Sequence, residues 1–152
     1  MAKGGSKSRS GRPATQAKSA AAPPAEKQSA GKRFGRVLLV EDDDLVAIGL
    51  TALLEMEGIA VQVVGRGLLV VKAVESFKPE AVILDLTLPD IDGIEVFRRL
   101  RKRWPQLPVV FSTGHGGEVE LTAELNSSRV ELLRKPYEIG DLLSALQRIA
   151  AG

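Results

Sequence analysis

The 152-residue chain has no cysteine, a single histidine (His115), and only one Trp, one Tyr and four Phe. Without cysteine there is no disulfide framework, no thiolate metal site and no thiol nucleophile. A reducing, cytoplasmic setting fits. One histidine excludes a multi-histidine metal cluster. No apolar run approaches the ~18 residues needed to cross a bilayer, and the basic N-terminus lacks the apolar core of a secretory signal. Apolar residues make up 44% of the chain, enough for a real core, and the length suits one ordinary domain.

Charge is unevenly placed. Residues 1–36 carry nine Lys/Arg against Glu26 alone, a net +8, whereas residues 37–152 carry 12 basic and 18 acidic residues, a net −6. Residues 1–35 are dominated by Ala, Ser, Gly, Pro, Lys and Arg, with Phe34 their one aromatic. Such a segment buries too little apolar surface to offset its ordering entropy, and it reads as a disordered basic tail. The tail is either a solubilising extension or an electrostatic contact for an anionic partner such as nucleic acid, a membrane surface or an acidic protein. It lacks the interleaved aromatics that stack on bases.

After Gly35 the pattern changes to an alternation of strands and helices. Continuous apolar runs at 37–40 and 81–85 mark strands buried on both faces. Residues 59–65, 108–112 and 130–134 read as further strands. Helices are expected at 45–58, with Val46, Gly49/Leu50, Leu53 and Leu54 on one side, and at 68–77, 94–104 and 139–150. A weaker helix is expected at 117–126. Asp43 or Asp44 is placed to cap the first helix and Gly58 to end it. The run Arg98, Arg99, Arg101, Lys102, Arg103 lies opposite Phe97, Leu100 and Trp104 and reads as a solvated helix face. A β-α unit repeated five times gives an α/β fold, a five-stranded parallel sheet doubly wound by helices over residues 36–152.

In open sheets of this kind, ligands bind beyond the C-terminal strand ends. Polar residues gather there. The first strand runs into Glu41-Asp42-Asp43-Asp44, the third ends on Asp85, the fourth in Ser112-Thr113, and the fifth in Arg134-Lys135-Pro136. Converging carboxylates require a cation or raised pKa values. An all-oxygen set suits Mg²⁺, which typically takes one or two carboxylates together with water and phosphate oxygens. A carboxylate is also a nucleophile toward phosphorus, Lys135 is a point charge for phosphoryl oxygens, and Thr113 offers them a hydroxyl.

VLLVEDD, DLTLPDIDG, STG and RKPY, in this order and spacing, resemble the receiver domain of two-component response regulators. The resemblance covers residues 36–152 and implies a flavodoxin-like strand order 2-1-3-4-5. It also implies roles. Asp85 is the phosphoacceptor; Glu41, Asp42, Asp85 and the carbonyl of Thr87 hold Mg²⁺; Thr113 and Lys135 complete the catalytic set. A slip of one residue would instead make Asp42 and Asp43 the acidic pair. Pro89 and Gly93 shape the loop after the third strand, Pro136 follows a cis peptide bond, and the positions of Thr87 and His115 influence how long the phosphoryl group survives. Many receivers carry an aromatic three residues before the lysine, where this chain has Leu132. Tyr137, beyond Pro136, does not fill that space.

The phosphodonor implied is a histidine kinase or histidine phosphotransfer protein. With no DNA-binding domain and no transmembrane segment in the sequence, the expectation is a single-domain cytoplasmic regulator. It would dock on a protein target or relay phosphate, and it would not be an enzyme with a separate substrate. Two alternatives stand beside it: a receiver-fold interaction module that works without phosphate, and a nucleic-acid or membrane binder driven by the tail.

Overall fold

The computed structural model describes residues 34–114 and 129–151. Their elements alternate: β1 (Arg36–Val40), α1 (Asp44–Met56), β2 (Ala60–Val64), a short 3₁₀ helix η1 (Gly67–Leu69), α2 (Val70–Phe77), β3 (Ala81–Asp85), α3 (Gly93–Arg103), β4 (Val109–Thr113), β5 (Val130–Arg134) and α4 (Ile139–Ala151). The five strands form one sheet in the order β2-β1-β3-β4-β5, and every pairing is parallel. The expected architecture and strand order are both present.

The apolar runs of β1, β3 and β4 supply two cores at once, because alternate side chains point to opposite faces of a strand. Leu38, Val40, Val82, Leu84, Val109 and Phe111 pack with α2 and α3. Val37, Leu39, Ala81, Ile83 and Val110 pack on the other face with Leu54 of α1 and Leu142, Ala145 and Leu146 of α4. Each fully buried aliphatic side chain contributes on the order of 1.5–3 kcal/mol.

Local chemistry sets the ends of α1. The Asp43 carboxylate accepts the N–H groups of Leu45 and Val46 at 3.0 and 3.2 Å, so Asp43 is the N-cap. At the other end Gly58 has φ +83°, while Gly58 N–H donates to Glu55 O and Ile59 N–H to Leu54 O, a Schellman ending.

Several expectations need correction. The buried face of α1 is Ala47 and Leu54 with half-buried Leu50; Val46 and Leu53 are 38% and 40% exposed. This helix is apolar nearly all round, so spacing alone did not choose between its faces. The helix expected over 68–77 is η1 followed by α2. Phe34, assigned to the tail, is 6% exposed and belongs to the α1/α4 core. Arg101 departs from the solvated basic face, donating to Leu107 O at 2.6 Å and lying over the Phe97 ring at 4.8 Å. The basic tail before residue 34, the helix at 117–126 and His115 lie outside the described residues. Among those described, no helix is long and apolar enough to cross a membrane.

Candidate functional site

The chain turns from β1 toward β2 on one side and β3 on the other, so the crevice of this sheet opens where β1 and β3 end. Glu41 follows β1 and Asp85 ends β3. Both are 3% exposed, while Asp42 is exposed. Carboxylate oxygens of Glu41, Asp42 and Asp85 lie within 4.8 Å of one another. Lys135 follows β5 and reaches both buried carboxylates, with Nζ 3.1 Å from Asp85 Oδ2 and 3.3 Å from Glu41 Oε1. The sequence-selected Glu41, Asp42, Asp85 and Lys135 therefore meet at one point.

Each buried carboxylate divides its oxygens between the lysine and a backbone N–H. Glu41 Oε2 accepts from Asp43 N at 3.2 Å, and Asp85 Oδ1 accepts from Thr87 N at 2.9 Å. Burial pushes Glu41 above the ordinary carboxylate range; the Asp43 N–H opposes this and the charge of Asp85 adds to it. Burial works against the Lys135 ammonium, but the hydrogen bond and charge of Asp85, with those of Glu41, raise it above an ordinary lysine. One ammonium thus faces three acids. The oxygen-only donor set and its excess negative charge fit a hard divalent cation.

Three other acids near the rim are committed elsewhere. Asp43 caps α1, Asp92 caps α3 through Ile94 N–H at 2.8 Å, and Asp90 accepts two backbone N–H groups of η1. Asp43, the second acid of the one-residue-slipped alternative, is thus engaged at the start of α1. Asp90 was missed by sequence reasoning. An acid in a Pro-containing loop reads as an ordinary turn residue, and nothing in the sequence links it to Gly67, 23 positions away.

Thr113 closes β4, 2% exposed, and its carbonyl accepts Lys135 N–H at 2.7 Å, which fixes the root of the lysine. Thr87 is exposed beside Asp85. The Lys135–Pro136 peptide is cis, as expected. Gly93 opens α3 against the backbone at the end of β3: a Cβ there would lie 2.7 Å from Asp85 O and from Leu86 Cα. Leu132 packs toward the α2/α3 core and Tyr137 toward the α1/α4 core, so the two lie on opposite faces of the sheet. Tyr137 is no substitute for an aromatic at 132.

Compared with known families, residues 37–147 match the response regulator receiver domain. Among curated proteins, the transcriptional regulatory protein CreB of Escherichia coli (strain K12) is 40% identical over 101 residues, 66% of this chain and 44% of that protein. The response regulator MprA of Mycobacterium ulcerans (strain Agy99) is 31% identical over 114 residues, 75% of this chain and 49% of that protein. The chain spans about half the length of these curated relatives. In fold it is similar to a CheY-like response regulator receiver domain protein from Methanospirillum hungatei JF-1, with a TM-score of 0.72 at 24% identity over 78% of this chain and 95% of that one.

Proposed function

Since the chain belongs to the response regulator receiver family, we propose that it accepts a phosphoryl group on Asp85 from a histidine kinase or histidine phosphotransfer protein. The observation that carries this is the near-buried Asp85 carboxylate at the switch point, held between Lys135 and Thr87 N–H beside two further acids. An Asp85 oxygen attacks phosphorus, the P–N bond to the donor imidazole breaks, and the electron pair and a proton go to that nitrogen. Glu41, Asp42, Asp85 and the Thr87 carbonyl would hold Mg²⁺, which when bound offsets charge on the attacking and transferring oxygens. Lys135 then exchanges part of its contact with Asp85 for the new phosphoryl oxygens, and the Thr113 hydroxyl would donate to one of them. In this reading the protein turns over no separate substrate, and its output is docking on a protein target or onward relay of phosphate.

The surface beside the site suits a protein donor. Leu45, Ile48 and Met56 of α1 are 81%, 66% and 80% exposed, and with Ala52 they form one stripe at helical spacing. Residues 37–65 contain six acids and no Lys or Arg. A helical donor surface with apolar residues flanked by basic ones complements this face.

The test is intact-protein mass after incubation with a small-molecule phosphodonor and Mg²⁺. Wild type should gain one phosphoryl group and Asp85→Ala none. A folded wild type that binds Mg²⁺ yet gains nothing would favour the second reading, a phosphate-independent interaction module. Leu132, standing where many receivers have an aromatic, is the observation behind that alternative.

A further inference from the structure

We infer that Asp90 is a positioning residue that fixes the loop carrying Thr87 by fastening the loop's tip to the start of η1. The inference rests on the reading above for what the loop serves, namely Mg²⁺ binding beside Asp85.

The loop from Leu86 to Asp92 joins β3 to α3, and Asp90 stands near its tip. Asp90 Oδ1 accepts Gly67 N–H at 2.8 Å and Asp90 Oδ2 accepts Leu68 N–H at 2.8 Å. Both carboxylate oxygens are thus engaged by a segment remote in sequence. The first N–H groups of a helix need acceptors from outside it. The residue preceding η1, Arg66, provides no side-chain cap. Asp90 fills that role from another loop. The net effect of these N–H groups, with that of Ile91, is to hold the carboxyl below its usual range despite opposing desolvation.

Packing makes the junction tight. Gly67 is buried, and a Cβ on it would lie 2.7 Å from both Ile91 Cγ1 and Val96 Cγ2. The base of the loop is closed as well: Gly93 N–H donates to Leu86 O at 3.2 Å, and Gly93 rests on the backbone of Asp85 and Leu86. A seven-residue loop is therefore pinned at base and tip. Thr87 lies between the two pins, its N–H on Asp85 Oδ1. Releasing the tip should widen the range of positions open to Thr87 without touching any carboxylate of the acid cluster. Partners one step removed from metal ligands typically influence metal affinity by about 10–100-fold.

The experiment compares the full chain as wild type, Asp90→Ala, Asp90→Asn and Glu80→Ala. Glu80 accepts the N–H groups of Gly35 and Arg36 at the opposite end of the sheet, so its loss reports a generic loss of stability. Two readouts are taken: Mg²⁺ affinity by calorimetry, and amide hydrogen exchange over residues 67–68 and 86–92 without Mg²⁺. Asp90→Ala should weaken Mg²⁺ binding by about tenfold or more and speed exchange at Gly67, Leu68 and Thr87. Asp90→Asn, which keeps one acceptor oxygen, should fall between and remains informative if the alanine variant does not fold. Glu80→Ala should bind Mg²⁺ as wild type does. Wild-type Mg²⁺ affinity in both Asp90 variants, with or without faster exchange, overturns the inference and leaves the phosphoacceptor reading intact. A wild type that binds no Mg²⁺ overturns both. Equal weakening in Glu80→Ala overturns the positioning role in favour of simple destabilisation.

Discussion

The Lys135 ammonium lies 3.1 Å from the Asp85 carboxylate and so joins the ends of β5 and β3, two strands separated in the sheet by β4. The same nitrogen reaches Glu41 beyond β1. One cation thereby holds two buried acids apart from their mutual repulsion, and it stands where a phosphoryl group on Asp85 would develop charge. Lys135→Met keeps the bulk and removes the charge. Losing a preorganised electrostatic partner typically costs about 10²–10³ in rate. The initial rate of labelling by a small-molecule phosphodonor should fall by at least about 10²-fold, with a cooperative thermal transition retained. Lys135→Arg should not restore the rate, because a planar fork does not replace a point charge in this space.

Gly93 supplies a second prediction. The atoms that would meet its Cβ are backbone, Asp85 O and Leu86 Cα at 2.7 Å, and cannot swing aside as a side-chain end does. Gly93→Ala should destabilise by about 1–3 kcal/mol, the usual cost of overpacking, and, with Asp85 as the proposed acceptor, slow labelling because the displaced backbone carries Asp85. The midpoint of urea unfolding and the labelling rate check both parts. An unchanged midpoint would mean that α3 slides away freely.

The parts of this molecule that were legible in its sequence are those written in local pattern. VLLV and AVILD are buried strands because their apolar runs are too short for helices, and their abrupt ends placed Glu41, Asp42 and Asp85 on one rim. Capping chemistry alone marked the ends of α1 at Asp43 or Asp44 and at Gly58, and the structure selects Asp43. What local pattern did not carry was tertiary choice. The buried side of α1 is fixed by which residues meet the sheet and α4, and a helix with Leu45, Val46, Ile48, Leu50, Leu53 and Leu54 offers several candidate faces. Phe34 joins the core beside Gly35 and Arg36, whose N–H groups donate to Glu80 across 45 and 44 positions, a contact that no local pattern carries. Asp90 escaped notice for the same reason.

Asp90 also makes a pH prediction. Its carboxyl is held below its ordinary value of 3.8 in the folded chain, so the folded state binds that proton less readily than the unfolded one. Its contribution to stability is complete above 3.8 and is lost as pH falls through the lowered folded value. Asp90→Asn removes the contribution at every pH. The stability gap between wild type and Asp90→Asn, from urea unfolding, should be largest near about pH 7 and shrink toward about pH 3. A gap that stays constant with pH would show that the ionised form of Asp90 has no preference for the folded chain.

If the exposed apolar stripe on α1 receives the proposed donor, the chemistry of the site and recognition of the donor can be separated. Ile48 is 66% exposed and lies outside the acid cluster, so replacing it should change stability by no more than about 0.5 kcal/mol. Ile48→Glu removes apolar surface from the middle of the stripe and leaves the sign of this face unchanged. Labelling by a small-molecule phosphodonor needs only Asp85 and its neighbours and should proceed at the wild-type rate. Transfer from an autophosphorylated sensor kinase that labels wild type needs the protein contact as well, and should slow by about tenfold, the cost of losing a moderate contact in an interface. Because residues 37–65 carry acids and no bases, that transfer should also slow as salt is raised, while small-molecule labelling should respond less. Equal slowing of both reactions by Ile48→Glu would place its effect inside the site and remove α1 as the donor's resting surface.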